Sequence, residues 1–169
     1  MSTAHCATDR QALPPAPEWQ ASRWFNTTEA APSLAALRGR VVLLHAFQML
    51  CPACVSHGVP QAERAHRAYG DDGLAVIGLH TVFEHHAAMT PVALEAFLHE
   101  YRVTHPVGVD LAVAGDPIPA TMARYGMQGT PTLILIDHEG RLRQHAFGRV
   151  DDLALGVMLG RLLEEAKTA

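Results

Sequence analysis

The chain has 169 residues, of which 49% are hydrophobic and 18% are charged, a composition typical of one soluble globular domain with a sizeable core. The net charge of −4 and the lack of a basic run argue against a nucleic-acid partner. No apolar stretch approaches the roughly 18 residues of a membrane-spanning helix, and the N-terminal residues lack a signal-peptide pattern, so we expect a cytoplasmic protein without a membrane partner.

Residues 1–17 are polar and then rich in proline, which predicts a flexible leader ahead of one domain over residues 18–169. Cys6 lies in this leader, and we interpret it as an incidental exposed thiol. Three cysteines, of which one stands apart from the other two, do not provide the framework of a disulfide-stabilised domain.

The first half of the domain predicts a β-α-β unit. The apolar run of residues 41–47 is typical of a central strand covered on both faces, and residues 74–79 predict a second buried strand. The helix between them, residues 51–69, should bend where Gly58 and Pro60 interrupt it. A right-handed crossover then makes the two strands parallel neighbours.

The remaining elements are expected to complete a mixed sheet flanked by helices. They are a short strand near residues 23–26, a helix capped by Thr90, an edge strand at residues 105–110, a short helix near residues 120–125, hairpin strands at residues 132–136 and 142–147, and a last helix at residues 151–166. In the last helix, Leu153 and Val157 are among the side chains expected to face the sheet.

Cys51 and Cys54, with two residues between them, directly follow the first buried strand and open the next helix. The attacking species in disulfide exchange is a thiolate, and the unpaired N–H groups of a helix N-terminus favour that form. Pro52 suits the first helical turn because it has no N–H to leave unpaired. Cys51 is then the predicted nucleophile, and Cys54, one turn further along, can resolve the mixed disulfide.

Two other interpretations of this cysteine pair stay open. A purely structural disulfide would close a very small loop and would constrain the unfolded chain little. A zinc site using both cysteines, His57 and Cys6 has ligand-like spacing, but structural zinc sites normally contain a second spaced pair of ligands. We predict a redox dithiol with no metal and no cofactor.

The order of these elements around the Cys-x-x-Cys motif resembles the thioredoxin fold. The resemblance is to the TlpA-like branch of the thiol–disulfide oxidoreductases, which grades into the AhpC/TSA redoxins, and it covers residues 22–165. It is carried by the segment 37–44 that leads into the dithiol, by Gly-Thr-Pro-Thr at 129–132 and by the hairpin turn at 137–140. It implies an α/β fold, a three-layer α/β/α sandwich with a central mixed sheet that contains the β-α-β unit and ends in the hairpin and last helix.

The resemblance also implies roles for residues beside the dithiol. The family proline that corresponds to Pro131 is cis and packs against the active disulfide, so Pro131 joins the predicted catalytic residues. The backbone of Thr130 would pair with a bound polypeptide as a strand pairs with a sheet edge. Leu50, which stands where thioredoxins have Trp, is expected to contact substrate together with Pro52 and Ala53.

His45 departs from the family pattern. It stands six residues before Cys51, where thioredoxin has a buried Asp and TlpA-like proteins often have Asn. A histidine has a usual pKa of ~6.5, which would allow it to take a proton from Cys54 through water. We therefore include His45 among the candidate catalytic residues, with a core histidine satisfied by backbone groups as the alternative.

Glu84 follows the second buried strand, and His85 and His86 come next. Because the two parallel strands end at the same edge of the sheet, these side chains should lie near Cys51. Glu84 or one of these histidines would then line the substrate groove or tune the pKa of a thiol. The alternatives are a metal site at His80, His85 and His86 and an ordinary solvated loop.

The predicted activity is reduction or exchange of disulfides through a mixed disulfide on Cys51. The expected partners are a disulfide-containing protein or small thiol substrate and an electron-donating thiol or reductase system. One alternative is an antioxidant thiol peroxidase of the AhpC/TSA kind. Such enzymes carry Thr or Ser three residues before the reactive cysteine and Pro seven before it, whereas this chain has Gln48 and Leu44. The other alternative is a metal-binding or chaperone-like module, although copper-delivery relatives usually place three residues between their cysteines.

Overall fold

The computed structural model describes residues 13–27 and 30–169. Its strands are β1 (Ala21–Phe25), β2 (Val41–Phe47), β3 (Leu74–His80), β4 (Val107–Asp110), β5 (Thr132–Ile136) and β6 (Leu142–Phe147). Its helices are α1 (Val59–Tyr69), α2 (Pro91–Glu100), α3 (Ala120–Arg124) and α4 (Asp152–Lys167), and a π-helical segment, Cys54–Gly58, leads into α1. The strands form one mixed sheet in the order β1-β4-β3-β2-β5-β6.

The predicted β-α-β unit forms the centre of the sheet. β2 and β3 pair in parallel from Val41 with Leu74 to Phe47 with His80, and every residue of both strands is buried. β5 lies antiparallel on the other side of β2. The segments that follow β2 and β3 therefore meet along the side of the sheet where these two strands end, which we call the dithiol edge.

The two faces of the sheet are covered differently, which confirms the three-layer arrangement. Alternating residues of β2 point to opposite faces, as the period of a strand requires. One face packs against α1 and α4, and the other is covered by α3 and by the segment that contains Trp19 and Leu34. No helix in the described part of the chain is long and apolar enough to cross a membrane.

The predicted edge strand, β4, is not at an edge. β1 pairs with it antiparallel, and so β1 takes the edge position. Gly108 allows this pairing, because a Cβ there would lie 3.0 Å from the ring of Trp24 on the neighbouring strand. The pairing joins segments about eighty residues apart in sequence, so no local pattern indicated it.

The predicted bend in the helix after the dithiol takes the form of the π-helical segment. Backbone pairing already begins at Cys51, whose carbonyl accepts from the N–H of Val55 at 3.0 Å. The widened turn ends at Gly58, and Pro60 lies in the first turn of α1, where its missing N–H is tolerated. The predicted cap of α2 is confirmed, since the Thr90 side chain accepts from the N–H of Ala93 at 3.3 Å.

The prediction for α4 was partly wrong. Leu153 and Val157 are 82% and 55% exposed, whereas Leu155 and Leu159 are buried against the sheet. The side chain of Asp151 caps the helix by accepting from the N–H groups of Leu153 and Ala154. The buried face is the one on which Leu155, Leu159 and Leu162 recur at helical spacing.

The last residues of the predicted flexible leader are packed on the domain. The carbonyl of Pro14 accepts from Leu142, the N–H of Ala16 donates to Gly140, and both bonds are 2.9 Å long. The Tyr125 hydroxyl donates to the carbonyl of Pro17 at 2.6 Å. Prolines favour an extended chain, which here lies beside the hairpin. Residues 1–12, with Cys6, lie outside the described residues, and for them the leader stays a prediction.

Candidate active site

The two cysteines differ sharply in exposure. Cys51, just beyond β2, is partly exposed, whereas Cys54, in the first turn of the helix, is fully buried. Both are free thiols, and the backbone N–H of Cys54 donates to the sulfur of Cys51 at 3.3 Å. The N-terminus of the helix thus directs a hydrogen-bond donor at the accessible sulfur, as the sequence predicted.

The buried thiol is strongly disfavoured as a thiolate. Burial, together with a hydrogen bond involving Cys51, raises the pKa of Cys54 to about 12. Cys54 therefore stays protonated near neutral pH while Cys51 faces the solvent. This asymmetry suits a pair in which one sulfur attacks first and the other acts afterwards.

Thr130 and Pro131 lie beside the accessible cysteine. The thiol of Cys51 donates to the carbonyl of Thr130 at 3.4 Å. The Thr130–Pro131 peptide bond is cis, as the resemblance implied, and Pro131 is buried. The carbonyl of Pro131 accepts from Gly148 at 2.8 Å, which ties this turn to the end of β6.

A groove of about 490 Å³ opens over Cys51. Four predicted substrate-binding residues line it, namely Leu50, Pro52, Glu84 and Thr130. Ala53, the fifth, is not among the lining residues. Sequence reasoning missed Phe147, which also lines the groove. The strand order could have indicated this position. β6 runs parallel to β2, so its last residue must lie at the same edge of the sheet as Cys51.

His45 fits neither of its two predicted roles. It is 2% exposed, its ring stacks on Phe47 at 5.6 Å, and neither ring nitrogen has a hydrogen-bond partner among the described residues. A Cβ on Gly58 would overlap Nε2 of the ring, so the glycine makes room for it. Burial lowers the pKa of His45 to about 3, and an imidazole that binds protons so weakly is a poor base for a thiol.

The zinc alternative lacks support in the described part of the chain, where no three His, Cys, Asp or Glu side chains are grouped to hold a metal ion. His57, the third ligand of that hypothesis, pairs through Nε2 with the carbonyl of Val150 at 2.8 Å. It thus links the π-helical segment to the loop before α4.

A buried polar cluster behind the dithiol helix was not predicted. Glu63 on α1 accepts from Nδ1 of His105 and from Nε of Arg67, both at 2.8 Å, and from the N–H and hydroxyl of Thr104. Burial raises the pKa of Glu63, but the hydrogen bonds from these three residues outweigh it and hold that pKa well below its usual range. An ionised carboxylate therefore joins α1 to the segment that precedes β4.

Comparison with known proteins agrees with this geometry. A model of the AhpC/TSA family matches residues 14–145. A thioredoxin-like superfamily protein of known crystal structure has 54% sequence identity to this chain, and its structure superposes with a TM-score of 0.85. A thiol-disulfide isomerase from Corynebacterium glutamicum has 48% sequence identity to this chain, and its crystal structure superposes with a TM-score of 0.84. Each comparison covers 90% of this chain and 97% of the other.

More distant relatives are longer proteins. Protein DipZ of Mycobacterium bovis is 31% identical over 145 residues, which is 85% of this chain but only 20% of DipZ. The thiol-disulfide oxidoreductase ResA of Bacillus anthracis is 28% identical over 112 residues, 66% of this chain and 57% of ResA. The chain thus spans about a fifth of the length of DipZ. From the family match, the fold and the cysteine motif, the chain belongs to the AhpC/TSA family and has the thioredoxin-like fold found in thiol–disulfide oxidoreductases.

Proposed function

We propose that the chain is a thiol–disulfide oxidoreductase that reduces or exchanges substrate disulfides through Cys51 and Cys54. One observation carries the proposal: a partly exposed sulfur at a helix N-terminus, hydrogen-bonded by an N–H, opens into a groove while a second thiol lies buried one turn behind it. A metal ligand set or a structural disulfide needs no such difference in exposure.

The steps follow from that arrangement. The Cys51 thiolate attacks one sulfur of the substrate disulfide, an S–S bond forms, and the other substrate sulfur leaves as a thiolate. Cys54 then gives up its proton to the departing thiolate and attacks the sulfur of Cys51. The second substrate sulfur leaves as a thiolate and takes from the solvent the proton that Cys51 released when it ionised. The products are a Cys51–Cys54 disulfide and a substrate with two thiols. An external dithiol must supply two electrons and two protons to restore the enzyme.

The neighbouring residues support these steps without supplying a proton carrier. The N–H of Cys54 stabilises the Cys51 thiolate, and the backbone at Thr130 is placed to pair with a bound polypeptide beside the sulfur. His45 does not act as a base in these steps, because burial makes the pKa of its imidazole too low to take a proton from a thiol. We place the reaction in the cytoplasm, where the redox poise favours reduction.

Membership of the AhpC/TSA family also raises the peroxidase alternative. The side chain of Gln48 is buried and donates to the carbonyl of Thr81 at 3.1 Å, and Leu44 lies in the core. Neither offers the hydroxyl or the proline that peroxidases of this family place before the reactive cysteine. The oxidoreductase is therefore the better supported of the two.

The test exposes pre-reduced protein to a protein disulfide and, separately, to hydrogen peroxide. Loss of the Cys51 thiol is followed over time by alkylation and mass spectrometry, with Cys51→Ser as the blank. We expect fast oxidation by the disulfide and slow oxidation by peroxide. Fast oxidation by peroxide with none by the disulfide would overturn the proposal in favour of a peroxidase.

A further inference from the structure

Two large apolar side chains stand exposed on the groove that holds Cys51. Leu50 and Phe147 are each 54% exposed, whereas most large apolar side chains of the domain are buried in its core. Both line the groove. Exposed apolar side chains that share one cavity with a reactive atom indicate contact with the partner that reaches this atom.

Phe147 is held in place rather than free to collapse onto the protein. It is the last residue of β6 and pairs with Thr132 of β5, so its backbone is fixed by the sheet. Its ring lies over Gly129, where an added Cβ would approach the ring to 3.0 Å. The groove therefore presents a fixed aromatic surface at its β6 end.

The opposite end of the groove is charged. Glu84 and His85, in the loop after β3, line it there. Glu84 is exposed, is the single carboxylate among the lining residues, and has no ion-pair partner in the described part of the chain. Together with the net charge of −4, this carboxylate favours a partner with a positive charge at this end.

The length of the groove separates peptides from small thiols. It crosses the ends of four adjacent strands, β6, β5, β2 and β3, which at strand spacing corresponds to about 15 Å. An extended chain advances about 3.3 Å per residue, so roughly four to five residues span this distance. Glutathione is a tripeptide of net negative charge without a basic side chain, so it is too short to reach from Phe147 to Glu84 and offers the latter no basic side chain.

We propose that this groove selects extended polypeptides in which the disulfide cysteine has an apolar side chain on one side and a basic side chain on the other, in preference to glutathione disulfide. The apolar side chain packs on Phe147 and Leu50, and the basic one pairs with Glu84. This rests on the proposed oxidoreductase function and names the substrate class for the same site.

The experiment measures second-order rate constants for reduction of short peptide disulfides by pre-reduced protein, with acid quenching and chromatography of the released thiol. The parent peptide carries Leu and Arg on the two sides of its cysteine, in both orders, and analogues carry Ser for Leu or Glu for Arg. Oxidised glutathione is the small disulfide. We expect the parent in one order to react about tenfold faster than the Ser analogue and faster still than glutathione, because burial of one apolar side chain is worth about that factor.

The variants assign each preference to its residue. Phe147→Ser should lower the rate of the parent about five- to tenfold and leave the Ser analogue unchanged. Glu84→Gln should remove the preference for Arg over Glu. The matched controls are Tyr101→Ser, an aromatic residue of similar exposure at the far end of α2, and Glu164→Gln on α4.

The outcomes distinguish this inference from the function on which it rests. Equal rates for all peptides and for glutathione, with Phe147→Ser indistinguishable from wild type, would overturn the selectivity and leave the oxidoreductase intact. An equal effect of Tyr101→Ser would overturn it as well, since the loss would then not be specific to the groove. Failure to reduce any of these disulfides would overturn the proposed function itself.

Discussion

At the scale of single residues, the site depends on the difference between its two sulfurs. Cys51 is partly exposed and receives a hydrogen bond from the N–H of Cys54, whereas burial raises the pKa of the Cys54 thiol to about 12. Because the first sulfur attacks and the second releases the product, removing the second should stop the reaction halfway.

Cys54→Ser is therefore expected to accumulate a covalent complex between Cys51 and a substrate sulfur. Mass spectrometry under non-reducing conditions would detect it as a stoichiometric adduct that reductant removes. Cys51→Ser is the matched control and should form less than about a tenth as much, because its remaining thiol is buried and protonated. Equal adducts in the two variants would contradict the assignment of Cys51 as the nucleophile.

His45 supplies a second prediction, which concerns stability. Burial lowers its pKa from 6.5 in the unfolded chain to about 3 in the folded one. Below pH 6.5 the unfolded state therefore binds a proton that the folded state does not. The free energy of unfolding then decreases as the pH is lowered. At pH 5 the loss from this residue is about 2 kcal/mol.

His45→Asn should remove that share of the acid sensitivity, whatever it does to the stability at pH 7. The measurement is urea unfolding of both proteins at pH 5 and pH 7, compared through the difference between the two pH values. His99→Asn is the control, since the His99 side chain on α2 is 84% exposed. An unchanged difference in His45→Asn would show that the folded-state pKa of His45 is not depressed.

At the scale of elements, the helix that carries the dithiol is fastened from behind. Glu63 on α1 accepts four hydrogen bonds from the segment before β4 and from Arg67, and its side chain is 9% exposed. Glu63→Gln keeps the shape but removes the negative charge and one acceptor. We expect a loss of about 2–3 kcal/mol in the free energy of unfolding at pH 7, because the buried His105 and Thr104 then lack full partners.

The same substitution predicts a pH dependence with a definite sign. The pKa of Glu63 is lower in the folded state than its usual 4.5, so its stabilising effect is fully present above that value and is lost as pH falls below it. Wild type and Glu63→Gln should therefore converge in stability as the pH drops below about 4.5. Denaturant unfolding across pH 3 to 7 measures this, with Glu164→Gln as the exposed control; parallel curves would contradict it.

Sequence patterns predicted the elements whose signals are local. The apolar runs of β2 and β3, the hairpin turn and the cap at Thr90 each lie within a few residues of one another. The interior position of β4 was missed because its partner, β1, is distant in sequence. Part of the inward face of α4 was assigned wrongly because Leu153 and Val157 are apolar, although they lie about 200° around the helix from Leu155 and Leu159, which are buried.

The candidate site divides in the same way. Cys51, Cys54 and the Thr130–Pro131 pair belong to short motifs, and the structure brings them together. Phe147 and the Glu63–His105 pair belong to no motif, since they acquire their surroundings only when distant segments meet. The burial of His45 follows from its place in the apolar run 41–47, but its lack of a hydrogen-bond partner was not predicted, because the ring lies against Gly58, which has no side chain to bond it.

At the scale of the whole molecule, the domain includes more of the N-terminal chain than its proline-rich sequence suggested. Pro14, Ala16 and Pro17 are hydrogen-bonded to the first residue of β6, to the turn of the hairpin and to Tyr125, respectively. β5 begins beside Cys51 and runs away from it, so this hairpin turn lies at the edge of the sheet opposite the dithiol. The N-terminal contacts should therefore support the fold without touching the site.

Two deletions separate these roles. Removal of residues 1–12 should leave the melting temperature almost unchanged if they form the predicted leader. Removal of residues 1–17 breaks three hydrogen bonds and uncovers the hairpin, at a cost of about 2–3 kcal/mol, which corresponds to a decrease of roughly 5–10 °C in melting temperature for a chain of this size.

Circular dichroism gives the melting temperatures of the two deletions, and the rate of disulfide reduction is measured well below both temperatures. Because the deleted contacts lie far from Cys51, the rate per folded molecule should be the same in both deletions. A lower rate in the longer deletion would mean that the N-terminal segment reaches the dithiol edge, and equal melting temperatures would mean that its packing contributes nothing to stability.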